Sequence, residues 1–388
     1  MSPENNIVVG IKGIDETVLK SGALENLTGI NGDVYGLQDY KIFLQEGNIY
    51  IEAGSDYATA YAVNKFISYL KTNKSIPTNF SLSGEYNGED DLLQGYSLVW
   101  SDEFGGNALN TDNWSAPVET KNGPAYTDAQ MKSIFGVSDL KLTTAKLTGT
   151  LTANGKTFTR KDYDTSEAEW NMWTLGENVH NTDGTYSVSD GLLTMNATST
   201  DNGFKGSNLF AKHNFTYGIM EARIMLGSSN GAAATFWSRS KDKAPTIPVN
   251  EFDFCETFGG EKITPNLHTW KNAGKEHINH SNEIVNKRVP TPAAGEKFSD
   301  TFHHIALVWT PEKVTYYLDG EVYLEQDITD SNWDAFREET YLILGLNVPE
   351  GSYAQYCEGV DDYSDFNVSQ KVDYIRIYQL DGQSFQEN

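Results

Sequence analysis

Residues 250–257 read Asn-Glu-Phe-Asp-Phe-Cys-Glu-Thr, a short apolar run that carries three carboxylates. Phe252 and Phe254 suit the buried positions of a β-strand. Burying an unpaired carboxylate beside them would cost several kcal/mol, because the charge loses its hydration. Three acids in such a run therefore indicate a cleft, a metal site or catalysis.

The spacing of the three acids decides which strand face each one occupies. Side chains alternate along a strand, so Glu251 and Asp253 share a face while Glu256 would point to the other. One extra residue in a β-bulge across Phe254 and Cys255 would return Glu256 to the first face. A metal-binding acidic strand stays open as an alternative, although such sites usually take their ligands from a loop.

Two glutamates and an aspartate on one face have the composition of a glycoside-hydrolysis site. If the carboxyl groups approach within about 5–5.5 Å, the geometry fits double displacement with retention. We predict Glu251 as the nucleophile and Glu256 as the general acid, then general base, its pKa raised by the neighbouring carboxylates. Asp253 is predicted to hydrogen-bond to the nucleophile.

Aromatic residues on either side of the acids extend the predicted cleft. Trp237 ends a strand-like run before them, and His268 and Trp270 follow them. Two indoles flanking three carboxylates suit a polysaccharide subsite. Taken alone, each Trp is more often a core residue, and His268 is more often a hydrogen-bonding partner than a catalyst.

The composition narrows the class of ligand. A formal net charge of -25 and a pI near 4.6 argue against nucleic acid and anionic membranes as partners. The 12% aromatic content leans towards carbohydrate, because aromatic faces stack on sugar rings, although β-sandwich cores also use aromatics. No run of 18 apolar residues appears, so no membrane span is expected. We expect a monomer that is extracellular or at the cell surface, with a polysaccharide as its partner.

Only two cysteines occur, Cys255 and Cys357. They cannot form a disulfide framework or a Cys-based zinc site. One disulfide between them stays open, and we favour a buried free thiol at Cys255.

Residues 1–88 have the pattern of a small α/β domain. Two strand-like runs flank Glu46-Gly47 as a hairpin. Helical spacing follows, with apolar positions at Ala60, Val63, Phe66, Ile67 and Leu70.

Residues 95–382 have an all-β pattern. Short alternating strands punctuated by Gly and Asp, with a hairpin turn at Asp319-Gly320, predict a two-sheet sandwich. Residues 115–169 are rich in Thr, Lys, Gly and Asp, have poor periodicity, and are predicted to form an inserted excursion beside the cleft. The expected fold class is therefore mostly β, with a small N-terminal α/β domain.

The second domain resembles glycoside hydrolase family 16 over residues 96–380. The motifs that carry the resemblance occur in the family's order, and they are Leu98 to Phe104, Leu109 to Trp114, Tyr217-Gly218, Glu221-Ala222-Arg223, Phe236-Trp237, the acidic strand, Phe302-His303, Trp309-Thr310, Tyr317 to Gly320 and Val372 to Tyr378. The resemblance implies a jelly-roll β-sandwich, retaining endo-hydrolysis without a catalytic cofactor, and the same roles for Glu251, Asp253 and Glu256. It also implies a structural calcium at Asp373.

The E-x-D-x-x-E spacing is similar to that of the bulged branch of this family, with laminarinases, agarases, carrageenases and endo-β-galactosidases. The chain departs from laminarinase-like members at two places. Residues 247–250 are Ile-Pro-Val-Asn where Trp-Pro and Gly are usual, and residues 344–347 are Leu-Gly-Leu-Asn where Leu-Asn-Leu is usual. After the second departure, the expected substrate-binding Asn is either missing or displaced by two residues onto Asn347, which keeps the same strand face.

A second resemblance concerns the first domain. The runs Asp39 to Ile42, Gly47 to Gly54 and Tyr61 to Val63 resemble the small domain that precedes the catalytic barrel of family 20 hexosaminidases. It implies no catalytic residue, and we expect a structural or targeting role.

The resulting expectation is an endo-hydrolase of β-1,3-glucan or mixed-linkage β-glucan. A β-galactan of the agarose, carrageenan, porphyran or keratan/mucin type is one alternative, and a non-hydrolytic carbohydrate-binding protein is another. The strong negative charge disfavours heavily sulfated substrates unless the cleft holds basic residues. Arg239, Lys241 and Lys243 are the candidates, although a solvated loop is the more usual place for such residues.

Overall fold

The structure, a computed structural model, describes most of the chain between residues 39 and 380 and short pieces before it. The described residues are 7–9, 27–28, 31, 34–35, 39–54, 56–73, 75–86, 96–123, 125–135, 150–153, 156–165, 168–201, 203–241, 247–259, 262–272, 274–292, 296–319, 321–349 and 365–380.

The N-terminal unit is a four-stranded sheet covered by one helix. The chain begins with β1 (Ile7–Val9), β2 (Leu27–Thr28), β3 (Val34–Tyr35), β4 (Asp39–Gln45), β5 (Asn48–Ala53) and β6 (Ser81–Glu85), with the helix Asp56–Asn73 before β6. The sheet order is β1-β5-β4-β6, and β2 and β3 pair separately. β1 is parallel to β5, whereas the predicted β4–β5 hairpin is antiparallel. Glu46 and Gly47 both have positive φ, the conformation that a two-residue hairpin turn requires.

The helix of this unit was predicted correctly, and its buried face in part, since Phe66 is buried and Val63 and Leu70 pack against the core. Ala58, Ala62 and Phe66 pack against the sheet, whereas Ile67 is 42% exposed and Ala60 is also exposed. The position of the sheet, rather than the size of the apolar side chains, decides which face of the helix is buried. The boundary predicted near residue 88 lies outside the described residues, and the domain division stays a prediction.

The rest of the described chain is almost entirely β. Its strands are β7 (Tyr96–Asp102), β8 (Trp114–Ser115), β9 (Glu119–Asn122), β10 (Ala125–Thr127), β11 (Thr150–Ala153), β12 (Lys156–Thr165), β13 (Ala168–Thr174), β14 (Glu177–His180), β15 (Tyr186–Ser189), β16 (Leu192–Thr200), β17 (Gly203–Ala211), β18 (Gly218–Met225), β19 (Ala233–Arg239), β20 (Val249–Phe258), β21 (Asn266–Lys271), β22 (Glu276–Asn279), β23 (Asn286–Lys287), β24 (His303–Trp309), β25 (Lys313–Leu318), β26 (Glu321–Asp327), β27 (Tyr341–Asn347) and β28 (Asn367–Leu380). Short helices are Asp128–Phe135, His280–Asn282 and Ser331–Arg337.

Two sheets form a sandwich. The cleft sheet has the order β8-β17-β27-β19-β20-β21-β22. The back sheet centres on β28, which pairs with β7 and β16 along one edge and with β18 along the other. β24, β25, β26 and β23 continue the back sheet beyond β18.

β17 belongs to both sheets. Its first residues pair with β14 and β16, and residues from Ser207 onward pair with β27. The backbone hydrogen-bond ladder therefore continues around one corner of the sandwich.

The aromatic side chains of the acidic strand join the two sheets. Phe252 lies 5.0 Å from the ring of Trp309 on β24, and Phe254 lies 5.9 Å from Tyr316 on β25. All four rings are fully buried. Fully burying each such side chain contributes about 1.5–3 kcal/mol to folding. This packing fixes which face of β20 points away from the core.

The segment predicted as an excursion folds largely into its own sheet. The order of that sheet is β10-β13-β12-β11, and Tyr126, Phe158 and Trp173 are buried members of the main core. None of the described residues that line the cleft comes from residues 115–169. Its placement beside the cleft stays a prediction.

The outer face of the back sheet holds a buried ionic cluster. Glu221 on β18 accepts hydrogen bonds from Tyr378, 2.9 Å away, and contacts His304 Nε2 at 3.0 Å. Arg376 makes a two-point ion pair with Glu103, both bonds 2.9 Å long, and lies 3.8 Å from Glu221. Burial raises the pKa of Glu221, but His304, Arg376 and Tyr378 together outweigh it and hold the pKa below its ordinary value of 4.5.

Among the described residues, no helix combines the length and the apolar character needed to span a bilayer. Cys255 is buried and has a free thiol. Cys357 lies outside the described residues.

Replacing Glu221 tests the ionic cluster. Glu221→Ala should lower the free energy of unfolding by about 3–5 kcal/mol, because it leaves buried partners of the carboxylate unpaired. A carboxyl group with a lowered pKa stabilises the fold above pH 4.5, and that stability is lost as the pH falls through its folded value. The difference between wild type and Glu221→Ala should therefore shrink as the pH falls below 4.5. Urea unfolding at several pH values measures it.

The matched control is Glu321→Ala, which breaks the exposed ion pair with Arg288. That change should cost less than about 1 kcal/mol. Equal losses for the two variants would contradict the cluster's role.

Candidate active site

A β-bulge in β20 places the three acids on one face. Phe252 pairs with Ser238 and Cys255 pairs with Phe236, so Asp253 and Phe254 together oppose Trp237. The predicted bulge is confirmed, but it lies one residue earlier than expected. Beyond it Glu256 lies opposite Thr235, while Glu251 lies opposite Arg239.

All three acids reach one cleft of about 850 Å³. Trp237, His268, Trp270 and Asn347, the predicted substrate-binding residues, line the same cleft. Further lining residues, which the sequence did not single out, are Asn208, Thr235, Lys262, Asn266, His277, Asn279, Ser281 and Lys287.

Three of the missed residues, Asn266, His277 and Asn279, come from the hairpin of β21 and β22. Asn272 and Gly274 have positive φ in its turn. The Asn-Ala-Gly sequence at 272–274 was the available signal, because such turn residues predict a hairpin that brings His277 opposite Trp270.

Hydrogen bonds orient the acids within the cleft. Trp270 Nε1 donates to Glu251 Oε2 over 2.9 Å. His268, directly across the strand pair from Glu251, places Nε2 2.9 Å from Asp253 Oδ2. Since the indole occupies one oxygen of Glu251, the other oxygen is left for a ligand.

A buried amide fixes the strand behind the acids. Asn250 is fully buried, and its Nδ2 donates to the carbonyl oxygens of Ala335 and Glu338 over 3.0 and 2.8 Å. These bonds attach the turn at 331–338 to β20. The position of Glu251 is therefore set by residues almost ninety positions away in sequence.

Burial raises the pKa of all three acids, and neighbouring carboxylates add to the rise for Asp253 and Glu256. The pKa of Glu256 is raised well above its ordinary value by burial and by the charges of Asp253 and Glu251. Burial and Glu251 raise the pKa of Asp253 in the same way. Burial also raises the pKa of Glu251, but His268, the Trp270 hydrogen bond and Arg239 oppose the rise. Glu251 is therefore the acid best placed to ionise, and Glu256 is placed to keep its proton.

The region that holds the three acids is similar to a known protein family. Residues 167–343, which include all three acids, match the family model described as Glycosyl hydrolases family 16. The chain carries a family 16 glycosyl hydrolase domain.

Relatives of this family 16 domain are distant in sequence. Glucan endo-1,3-beta-glucosidase A1 of Niallia circulans is 22% identical over 320 residues, which is 75% of this chain and 39% of that protein. Beta-glucanase of Rhodothermus marinus is 27% identical over 179 residues, 43% of this chain and 59% of that protein. The chain spans less than two thirds of the length of either relative. The catalytic domain of an endo-1,3-beta-glucanase from Thermotoga petrophila RKU-1 aligns with 74% of this chain and 99% of its own, with a TM-score of 0.48 and 18% identity.

The family 16 domain has an amide pair where the sequence departs from the laminarinase-like pattern. The side-chain amides of Asn347 and Asn208 lie in hydrogen-bonding contact, 2.7 Å apart. The Asn208 amide also lies 3.1 Å from Nδ1 of His180, whose pKa burial lowers to about 4, so the imidazole is neutral at higher pH. The expected shift of the substrate-binding Asn onto Asn347 agrees with this placement, and its role stays a prediction.

Crowding around Gly345 explains why this chain has no side chain at the position where laminarinase-like members usually have Asn. A methyl group there would overlap the Thr235 hydroxyl and lie 2.9 Å from Asn208 Oδ1. The space is filled by Thr235, Asn208 and Asn347 instead.

The predicted calcium at Asp373 has no supporting ligand set among the described side chains. Asp373 is the bulged residue of β28, and its Oδ2 forms a 2.5 Å ion pair with Arg223. The Arg223 guanidinium occupies one oxygen of the Asp373 carboxylate, so only the other oxygen is left as a side-chain donor for the ion. The calcium stays a prediction. Glu251, Asp253 and His268 do place ligand-type atoms within 4.8 Å of one another, and the contacts described above account for that closeness.

Filling Gly345 tests the amide pair. Gly345→Ala should lower the free energy of unfolding by about 1–3 kcal/mol, because the methyl group overlaps a buried hydroxyl. Thr235→Ala in the same chain should recover at least half of the loss. Thermal and urea unfolding of the single and double variants measure both effects.

Gly106→Ala is the matched control, since its nearest contact would be an ordinary 3.5 Å. A Gly345→Ala variant as stable as Gly106→Ala would contradict the crowding.

Proposed function

We propose that this chain is a retaining endo-glycoside hydrolase that cleaves β-1,3-glucan or mixed-linkage β-glucan. The main support is the bulge at Asp253 and Phe254, which aims three carboxyl groups into one cleft. The family 16 match and the glucanase names of the relatives support the same class. A monomeric, extracellular or cell-surface protein without a catalytic cofactor belongs to the same proposal.

In this mechanism Glu251 attacks the anomeric carbon while Glu256 gives its proton to the glycosidic oxygen. The C–O bond to the leaving sugar breaks, and a glycosyl ester forms on Glu251. Glu256, now a carboxylate, removes a proton from water, whose oxygen attacks the anomeric carbon; the bond from that carbon to Glu251 breaks and frees the Glu251 carboxylate. Two inversions at the same carbon give net retention.

The groups around Glu251 support this division of roles. Trp270 and His268 lie against the nucleophile's carboxyl group and its neighbour Asp253, and both oppose the rise of the Glu251 pKa that burial causes. Among the described residues, no hydrogen bond or positive charge opposes the raised pKa of Glu256 in this way. The difference between the two environments is the feature that separates nucleophile from acid.

Product release from a polysaccharide panel tests the function. Wild type should release oligosaccharides from laminarin or mixed-linkage glucan, and not from agarose, carrageenan or a keratan-type galactan. Glu251→Gln should lose this activity by at least about 10⁴-fold, because the amide cannot form the ester intermediate. Chromatography of the products measures release.

Glu321→Ala, whose side chain does not line the cleft, should keep wild-type activity. Binding of glucan without release by wild type would instead favour a non-hydrolytic carbohydrate-binding protein.

Azide rescue tests the two glutamate roles separately. Glu256→Ala should lose about 10²–10⁴-fold in kcat, because the leaving group is no longer protonated. Azide is a small nucleophile that needs no general base, so with an activated aryl glycoside it should restore turnover and give the β-glycosyl azide. Glu251→Ala with azide should give the α-glycosyl azide, since azide then attacks from the nucleophile's side. NMR of the products distinguishes them, and the reverse pattern would exchange the two roles.

A β-galactan, including sulfated forms, is a second candidate because two lysines line the cleft. Lys287 Nζ donates to the carbonyl oxygen of Ser281 over 3.0 Å, and Lys262 is exposed on the same lining. Neither lysine has a carboxylate partner among the described residues. Of the residues expected for this role, Arg239 faces Glu251, Lys241 is not among the lining residues, and Lys243 lies outside the described residues. Release from carrageenan rather than laminarin would select this candidate.

A further inference from the structure

His277 occupies the edge strand of the cleft sheet. It lies on β22 and pairs directly with Trp270 on β21. Side chains that are directly opposite in an antiparallel pair stand close enough to contact each other. Neither the sequence motifs nor the catalytic scheme above gives this histidine a role.

The imidazole of His277 makes two contacts with the neighbouring strand. It stacks on the Trp270 indole, with ring centroids 3.9 Å apart and an interplanar angle of 11°. Its Nε2 also lies 2.7 Å from Nδ1 of His268, a hydrogen bond between the two rings. One side chain therefore restrains two residues of β21 at once.

Both restrained residues touch the acids. Trp270 donates its indole hydrogen to Glu251 Oε2 over 2.9 Å. His268 Nε2 lies 2.9 Å from Asp253 Oδ2. An indole can turn about two side-chain torsions, so its hydrogen bond to Glu251 persists only while its ring plane is held. The imidazole of His277 holds the Trp270 ring plane from the side of β22.

We propose that His277 is a positioning residue that keeps Trp270 on the Glu251 carboxyl group and so sets the pH at which that carboxyl group ionises. The inference rests on the proposed function only in calling Glu251 the nucleophile. The geometry that carries it is the sequence of contacts from His277 through Trp270 to Glu251.

The charges around Glu251 give the direction of the effect. Arg239 faces it from β19, His268 from β21, and Asp253 and Glu256 share its strand. Burial raises the pKa of Glu251, and His268, the Trp270 hydrogen bond and Arg239 oppose the rise. Removing the indole hydrogen bond leaves the burial effect less opposed. The pKa of Glu251 should then move further up.

His277 itself faces other titratable groups. His268 lies on the neighbouring strand, His280 in the turn that follows β22, and Glu276 precedes His277 on β22. Burial and the two histidines lower the pKa of His277. The ring is therefore neutral near neutral pH, the state in which one nitrogen donates and the other accepts.

A carboxyl titration without substrate tests the proposal. The protein is labelled with ¹³C at glutamate carboxyls, and the Glu251 signal is assigned as the one missing in Glu251→Gln. His277→Ala should raise the Glu251 midpoint by about one pH unit, the scale of one hydrogen bond to a charged group. His277→Phe keeps a flat ring on Trp270, and it should hold the midpoint within about a third of that shift.

Trp270→Phe supplies the second half of the test. It removes the indole hydrogen, so it should raise the midpoint as much as His277→Ala does. The double variant His277→Ala/Trp270→Phe should then show no further rise, because both changes remove the same bond. Additive shifts, or an unmoved midpoint in His277→Ala, would overturn the proposal.

Activity provides an independent readout once a substrate is in hand. The acid limb of kcat/KM against pH should move up in His277→Ala by the same amount as the carboxyl titration, and stay in place in His277→Phe. A shifted titration in a protein that hydrolyses no glycan would support the positioning role and reject the proposed function. Glycan hydrolysis with an unshifted titration would do the reverse.

Discussion

The cost of removing three carboxyl groups from water governs the organisation of the cleft sheet. β20 carries Phe252 and Phe254 into the core on one face and holds its acids on the other. A regular strand could not separate them this way, because the acids are spaced two and then three residues apart. The bulge resolves the conflict with one unpaired position. Around it, every neighbouring strand contributes a polar or cationic group.

Much of this could be foreseen from the sequence, because the signals are local. Alternation and the E-x-D-x-x-E spacing predicted a strand, a bulge and the acids' shared face. The bulge was placed one residue too late, since its position depends on the register against Trp237, which belongs to another strand. The apolar spacing of the first helix likewise predicted a helix but only part of its buried face. Burial there is decided by the sheet beneath it.

The contacts between distant segments could not be predicted from the sequence. Asn250 binds carbonyl groups of the turn at 331–338, and Glu221 meets Tyr378 from the other end of the chain. A single sequence gives no pattern for such pairs, because each partner satisfies its own local rules. His277 was hidden for the same reason. Its importance appears only once the hairpin brings it against Trp270.

The passage of β17 through both sheets has a mechanical consequence. Because one strand carries the ladder from the back sheet to β27, the two layers cannot slide past each other without breaking backbone hydrogen bonds. Asn208, in the cleft wall, lies on that shared strand. The two sheets are therefore held in one arrangement, and the cleft does not open and close by their sliding. Under the proposed function, the glycan rather than the cleft would be the partner that changes shape on binding.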